Sequence, residues 1–318
     1  MQDIQIICVN DGSPDNSRTI LQEYADRDSR IEIIDQENQC VGSARNAAYP
    51  YIRGKYTYFV DPDDWIELDI CEQCYNKAEA TGADFVAIRQ IEHKVTSWYS
   101  PPFDCQLPEI RQSLEEKREI FGLLQTWRRF WRSDFLLLNN IRFPEGKYPS
   151  EDIFVAWKGT ALASRIAVLN SPLYHYRIRP GSAQSTRNDD HFIVVERFNE
   201  VEKMLYEIGQ YESCKNVFFV VKWKCLFWHY PQFSSSLRFQ FCQHIRWHLT
   251  DADRECYRTA PKKLIPKDVK LFYEMVAGGP IEAMNYHVSR TIRSIVGMPE
   301  RLLRQWIVKP LKKRLKAA

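Results

Sequence analysis

A chain of 318 residues is too long for one small core and points to one large domain or two moderate ones. Apolar residues make up 44% and charged residues 27%, an ordinary globular composition, and with no uncharged apolar run of about 18 residues no membrane-spanning helix is expected. Net charge is +3, yet residues 301–316 hold seven Lys/Arg and no acid, leaving 37 basic against 41 acidic residues elsewhere, so the basic character belongs to the tail and argues against a general nucleic-acid binder.

No secretory signal opens the chain, and its nine cysteines, single apart from Cys71 and Cys74, read as reduced thiols of a cytosolic protein. One C-x-x-C without a second pair is a weak zinc or redox signal. The first 90 residues then alternate between short apolar runs and helix-length segments. IQIICVN (Ile4–Asn10) is apolar and β-branched, as in a buried parallel strand. DGSPDNS is turn chemistry, and SRTILQEYADRD spaces its apolar residues for a helix. RIEIID (Arg30–Asp35) predicts a second strand, GSARNAAY a short helix and KYTYFVD a third strand. WIELDICEQCYNKAEATG predicts a helix closed by Gly82, and ADFVAIRQI a fourth strand. Strands separated by helix-length segments mean βαβ units, hence an α/β fold on a mostly parallel sheet with helices on both faces.

Beyond Ile91 the pattern loosens, and Pro101, Pro102 and Pro108 mark an irregular connection. RQSLEEKREIFGLL predicts a helix, and TWRRFWRSDFLLLNNIRFPEGKYPSEDIFVAWKGTALA two helices joined by a loop near Pro144–Pro149. RIAVLN and LYHYRIR predict short strands, and from about Asp190 the signal is helical, without an internal repeat. VFFVVKWKCLFWHY (Val217–Tyr230), broken by Lys222 and Lys224, reads as a helix buried on most sides. The expected division is an α/β domain over 1–187 and a helical domain over 188–318.

The chemistry gathers where strands end. TYFVDPDDW (Thr57–Trp65) crowds Asp61, Asp63 and Asp64 around a proline that cannot continue a ladder. In an extended chain Asp61 and Asp63 point to one side, and like charges so close are relieved by solvent, protonation or a cation. Asp64 can cap the following helix with Glu67 as its partner, so on spacing alone a metal pair and a set of solvated turn acids weigh about equally. VNDGSPDNS puts Asp11 at the end of the first strand, followed by Gly12 and by the capping residues Asp15, Asn16 and Ser17. GSARNAA places Arg45 just inside a helix, where it can reach an anion at the sheet's edge or simply face solvent. YPSEDIF sets Glu151 and Asp152 in a first helical turn, where the dipole favours acids and where a carboxylate can also serve as a general base.

Taken in order, VNDGSPDNS, ENQCVGSARNAA, KYTYFVDPDDW, WRRFWRSDFLLLNNIRFPEGKYPSEDIF and PLYHYRIRPGSAQS resemble the family 2 glycosyltransferases of GT-A fold, over about residues 1–185. The resemblance implies inverting sugar transfer from a nucleoside-diphosphate sugar, a UDP-sugar first, with Mg2+ or Mn2+. It gives Asp11 to the nucleoside base, Arg45 to nucleotide binding, Asp61 and Asp63 to the metal, and Asp61 also to the ribose. Asp152 would be the base, with Glu151 as the alternative, while Arg177 and Arg179 would reach the diphosphate or acceptor. His175 reads as a packed strand residue. The acceptor would be a glycan or lipid-linked hydroxyl in surface polysaccharide synthesis. A hard oxygen-only site suits Mg2+ or Mn2+ and not zinc.

The sequence departs from the family in two places. The family's opening strand and its P-x-Y-N turn are not found, so the chain opens at what resembles the second strand. Residues 4–10 and 56–60 then lack an intervening partner, and either direct pairing or an exposed sheet edge is expected. Cys40 stands where the family usually has Gly. A catalytically inactive relative that binds a partner or membrane is therefore the competing reading, while a nucleotidyltransferase lacks the Gly-rich basic loop it needs. In ERLLRQWIVKPLKKRLKAA, Leu302, Leu303, Trp306 and Ile307 form one helical stripe that Leu311 and Leu315 continue beyond Pro310. Ringed by seven basic residues, this tail is the pattern of an interfacial helix at an anionic membrane surface. The expected location is cytoplasmic and peripheral to the inner face of the plasma membrane.

Overall fold

Two apolar runs of the opening segment pair as parallel strands, β1 (Ile6–Asp11) and β2 (Ile31–Gln36), in register from Ile6 opposite Ile31 to Asp11 opposite Gln36. The computed structural model in which they are seen describes residues 3–94, 97–99, 108–146, 149–178 and 188–278. The proposed tail helix at 301–316 and Arg179 lie outside the described residues. Helix α1 (Ser17–Ala25) makes the crossover between the parallel strands β1 and β2, and α2 (Cys40–Ala47) follows them. The chain continues through β3 (Tyr56–Tyr58), β4 (Trp65–Ile66), α3 (Ile70–Thr81), β5 (Phe85–Lys94), β6 (Ser97–Tyr99) and β7 (Ile110–Arg111). Then come α4 (Leu114–Lys117), β8 (Arg129–Arg132), α5 (Ser133–Leu138), α6 (Asp152–Leu162) and β9 (Ile166–Arg177). Five helices complete it: α7 (Val194–Glu207), α8 (Tyr211–His229), α9 (Ser235–Trp247), α10 (Asp251–Thr259) and α11 (Lys267–Gly278).

The main sheet runs β3-β8-β5-β9-β4, with β6 on β5 and β7 on β9. The two longest ladders, β1–β2 and β5–β9, are parallel, and the short ones are antiparallel. Alternation along β5 builds a core on each face. Phe85 and Ala87 join Trp131, Phe135, Leu136 and Val155 on the side of α5 and α6. Val86 and Ile88 join Ile70, Cys74 and Ala78 of α3 on the other. Cys71 and Cys74 both lie on α3, and burial raises both thiols, so the C-x-x-C sits in packed helix surface.

Four local expectations change. In TWRRFWR, expected to be helical, Thr126–Arg128 is a 3-10 turn and Arg129–Arg132 forms β8 between β3 and β5, a strand buried on both faces and so without period-two alternation. RIAVLN and LYHYRIR are one strand, β9, whose register against β5 shifts around Arg89. RQSLEEKREIFGLL supplies only β7, α4 and a short 3-10 turn at Ile120–Gly122. Helix α3 starts at Ile70 behind Asp69, so Asp64 caps nothing; instead Trp65 and Ile66 pair with His175 and Tyr174 of β9. Among the described residues β1 pairs only with β2, and β3 only with β8, so the open-edge alternative holds. Every residue of β1 is only partly buried, and α1 buries none.

Backbone proximity divides the chain into compact units of residues 1–218 and 219–318. Within the second, Lys222 and Asp253 form a fully buried ion pair at 2.8 Å, and Asp253 also accepts from Trp223 Nε1 and closes a capping box with Thr250. Removing one partner of such a pair would leave an uncompensated buried charge, a strongly destabilising change.

Candidate active site

The centre of the site is a guanidinium. Arg45, one turn into α2, donates from one terminal nitrogen to Asp61 Oδ1 at 2.7 Å. The other terminal nitrogen donates to Glu151 Oε1 at 2.7 Å and Asp152 Oδ1 at 2.9 Å. Its side chain is 11% exposed and lies over the Phe143 ring at 5.1 Å. Burial pulls its pKa down, but Asp152, Asp61 and Glu151 more than offset that and hold it firmly charged. The close approach depends on Gly42. A Cβ there would meet the Pro144 carbonyl oxygen at 2.6 Å, so any larger residue would separate α2 from the segment leading to Glu151.

Asp152 opens α6, and its Oδ2 accepts the Thr126 backbone N–H at 3.3 Å. Burial pushes its carboxyl up to about 7; Arg45 draws it down, and Glu151 and Asp61 add to the rise. A carboxylate with that value sits near the pH at which a general base works best. Beneath Thr126, Arg129 is fully buried and donates to the carbonyl oxygens of Leu123 and Gln125. Burial lowers the Arg129 pKa to about 9, with Arg128 adding to the fall.

Asp61 to Asp64 is a turn closed by the Asp64 N–H on the Asp61 carbonyl at 3.1 Å, not an extended segment. Strand alternation therefore does not set the directions of Asp61 and Asp63. Asp64 is tied to β9 instead, accepting from the Tyr174 hydroxyl at 2.5 Å and the Arg177 N–H at 2.8 Å. Burial raises its pKa. Asp61 and Asp63 are partly exposed hard-oxygen donors on one short turn, a donor set suited to Mg2+ or Mn2+. At Asp61 that cation would meet the hydrogen bond from Arg45.

Asp11 lies at the carboxyl end of β1, where Gln36 Nε2 and the Gln39 N–H both donate to its Oδ1, at 2.7 and 2.9 Å. Cys40 has φ 73°, a left-handed value that explains why glycine suits this position. The side chain of Arg177 is exposed, with its guanidinium 5.1 Å over the Trp65 ring. His175 is buried, stacked on Trp65 at 5.0 Å and paired with Glu67 at 2.8 Å, as a packed strand residue should be.

The structure thus brings Arg45, Asp61, Glu151 and Asp152 together, whereas Asp11 and Arg177 make their hydrogen bonds and ring contacts with other residues. Reading the sequence alone missed Thr126, Arg129 and Tyr174. Only Tyr174 had a signal, since LYHYRIR places Tyr174 and Tyr176 on one side of a strand, where both stack on Trp127.

Residues 1–136 match the family model described as glycosyl transferase family 2. The chain is 31% identical to the putative glycosyltransferase EpsH of Bacillus subtilis over 217 residues, 66% of this chain and 58% of that protein. It is also 27% identical to the cholesterol galactosyltransferase of Borreliella burgdorferi, over 83% of this chain and 74% of that one. The chain therefore spans less than two thirds of the length of EpsH. Residues 1–349 of Staphylococcus aureus TarS, solved with UDP-GlcNAc, superpose with a TM-score of 0.69 at 18% identity, covering 93% of this chain and 84% of that one. Residues 1–136 thus form a glycosyl transferase family 2 segment, and the architecture around them is a GT-A fold.

Proposed function

We propose that this protein is an inverting, metal-dependent glycosyltransferase that moves a sugar from a nucleoside-diphosphate donor to a hydroxyl of a glycan or lipid-linked acceptor. The observation that carries the reading is the meeting of Asp61, Glu151 and Asp152 on one guanidinium. That arrangement puts the candidate base and an acid of the candidate metal turn within reach of a single bound donor. UDP-sugars are the donors to test first, because the TarS fold neighbour was solved with UDP-GlcNAc. The catalytic domain is assigned to 1–187 and the helical region to 188–318.

In this mechanism Asp152 takes the proton of the acceptor hydroxyl. The freed oxygen lone pair forms the new bond to the anomeric carbon as the bond to the diphosphate breaks, and the leaving group keeps its electron pair. One base and one displacement invert the centre. Asp61 and Asp63 would hold a divalent cation, which would supply counter-charge for the leaving diphosphate. Asp11, whose two intramolecular bonds end on Oδ1, offers Oδ2 to the nucleoside base. Arg177 and Arg179 are assigned to the diphosphate or acceptor. The basic stripe of 301–316 holds the enzyme peripherally at the anionic inner face of the plasma membrane, where a lipid-linked acceptor is presented. Among the described residues no helix is long and apolar enough to cross a membrane.

Calorimetric titration with UDP tests the donor site. Binding should require Mn2+ and weaken strongly with chelator or in Asp63→Ala; equal affinity in all three conditions would overturn the metal assignment. Asp63 is the better probe, because Asp61 also serves Arg45.

A further inference from the structure

We infer that α9 is an interfacial helix that seats the second compact unit on an anionic lipid bilayer. Beyond its first residue, Ser235, the outward residues of α9 are Ser236, Phe239, Gln240, Gln243, Arg246 and Trp247. At 100° per residue they fall within an arc of about 120°, one continuous face. Phe241, Cys242 and Ile245 occupy the opposite face and are buried, which fixes the helix's rotation. The outward face is unusual for one turned to water: Trp247 is 86% exposed and Phe239 46%. Large aromatics lose the most by staying wet, so an indole this open has an apolar or interfacial environment elsewhere.

Charge names the partner. Helix α9 contains no acid, and Arg246 lies beside Trp247 on the outward face. Residues 219–318 carry 19 Lys/Arg against 7 Asp/Glu, a net +12, while residues 1–218 carry 25 against 34, a net −9. Net positive charge thus gathers in the unit that carries Phe239 and Trp247. An anionic bilayer is the surface that answers both: many weak attractions to lipid phosphates bring the unit down, the indole and phenyl rings settle at headgroup depth, and Arg246 stays in the polar layer. A protein partner would need its own acidic patch matched to this face, and a second copy would set basic units against each other. The inference extends the membrane placement proposed for the tail to a folded helix, and it stands without the transferase reading.

The test uses the full chain and reads binding, not turnover. Flotation is measured with phosphatidylcholine vesicles with and without phosphatidylglycerol, for the parent and for Phe239→Ser/Trp247→Ser. The parent should float only with the anionic vesicles, less so at high salt. The double variant should lose roughly ten-fold or more in partitioning with an unchanged melting temperature, since both rings are exposed in the fold. Equal partitioning of variant and parent would overturn the proposal and leave any binding to the tail. A parent that is dimeric without vesicles, and monomeric once the two rings are replaced, would overturn it in favour of a second copy as the occupant.

Discussion

Arg45 contributes one guanidinium to three carboxylates, and that ratio sets how the site answers to pH and substitution. Removing it in Arg45→Ala leaves three clustered acids without their counter-charge, so the pH–rate profile should move to higher pH and turnover near neutrality should fall about 10²-fold. Arg45→Lys keeps the charge but not the fork, and should restore the profile more than the rate. Asp152→Asn should lower turnover by about 10²-fold or more while donor affinity by calorimetry stays close to the parent's, as expected of a base that acts in the chemical step. An inactive Glu151→Gln beside an active Asp152→Asn would exchange the two roles. The raised Asp152 pKa also has a stability consequence. Between about pH 4 and 7 the native carboxyl keeps a proton that the unfolded chain has released. Its contribution to stability is therefore full below that window and is lost as pH rises through it. Melting temperatures across this range should fall more for the parent than for Asp152→Asn. Asp11 and Asp61 were legible because each ends an apolar run, and Arg45, Glu151 and Asp152 because each stands near the start of a predicted helix. The Thr126 contact was not, because it is made by backbone N–H, which every residue type but proline supplies. Asp64 misled for the opposite reason: its type suits a cap, and only the fold brings Tyr174 to it.

Among the elements, α6 and β8 show where pattern reading stops. Strand β8 carries Arg129 at 0% exposure between Trp127 and Trp131, so the usual contrast of apolar and charged faces is missing and the aromatic spacing imitates a helix. Carbonyl oxygens of the preceding loop make that burial tolerable. Helix α6 lies directly on this strand, and a Cβ at Gly159 would come within 2.3 Å of the Trp131 ring. Gly159→Ala should cost about 1–3 kcal/mol by denaturant titration, the range for overpacking a filled core. Cys40→Gly is expected to act in the other direction. Relief of the left-handed backbone at the start of α2 outweighs glycine's added unfolded-state freedom, for a gain of about 1 kcal/mol or less. UDP affinity should be unchanged, because the Gln39 N–H that holds Asp11 is kept. Position 40 was legible as a departure from the family, and its physical reason only as a φ angle.

At the scale of the whole molecule, the βαβ rhythm of the first 90 residues was enough to give the architecture, because strands separated by helix-length segments build a sheet with helices packed on its faces. Nothing in that rhythm marked which strands would share hydrogen bonds. The ladder of β1 and β2 closes on itself, without a hydrogen-bonded strand joining it to the larger sheet among the described residues. Its amides are therefore free to open as a small cooperative unit of their own, at a lower free energy than β5 and β9, which are braced on both sides. In the proposed reaction one nucleotide spans this divide, with its base at Asp11 on the loose pair and its diphosphate at the Asp61 turn. Occupancy should then register as an unequal quieting of the backbone. By hydrogen–deuterium exchange, UDP with Mn2+ should slow residues 6–11 and 31–36 several-fold and leave 85–88 and 166–169 unaltered. Uniform slowing across all four segments would mean that the loose pair is already locked to the rest before any donor arrives.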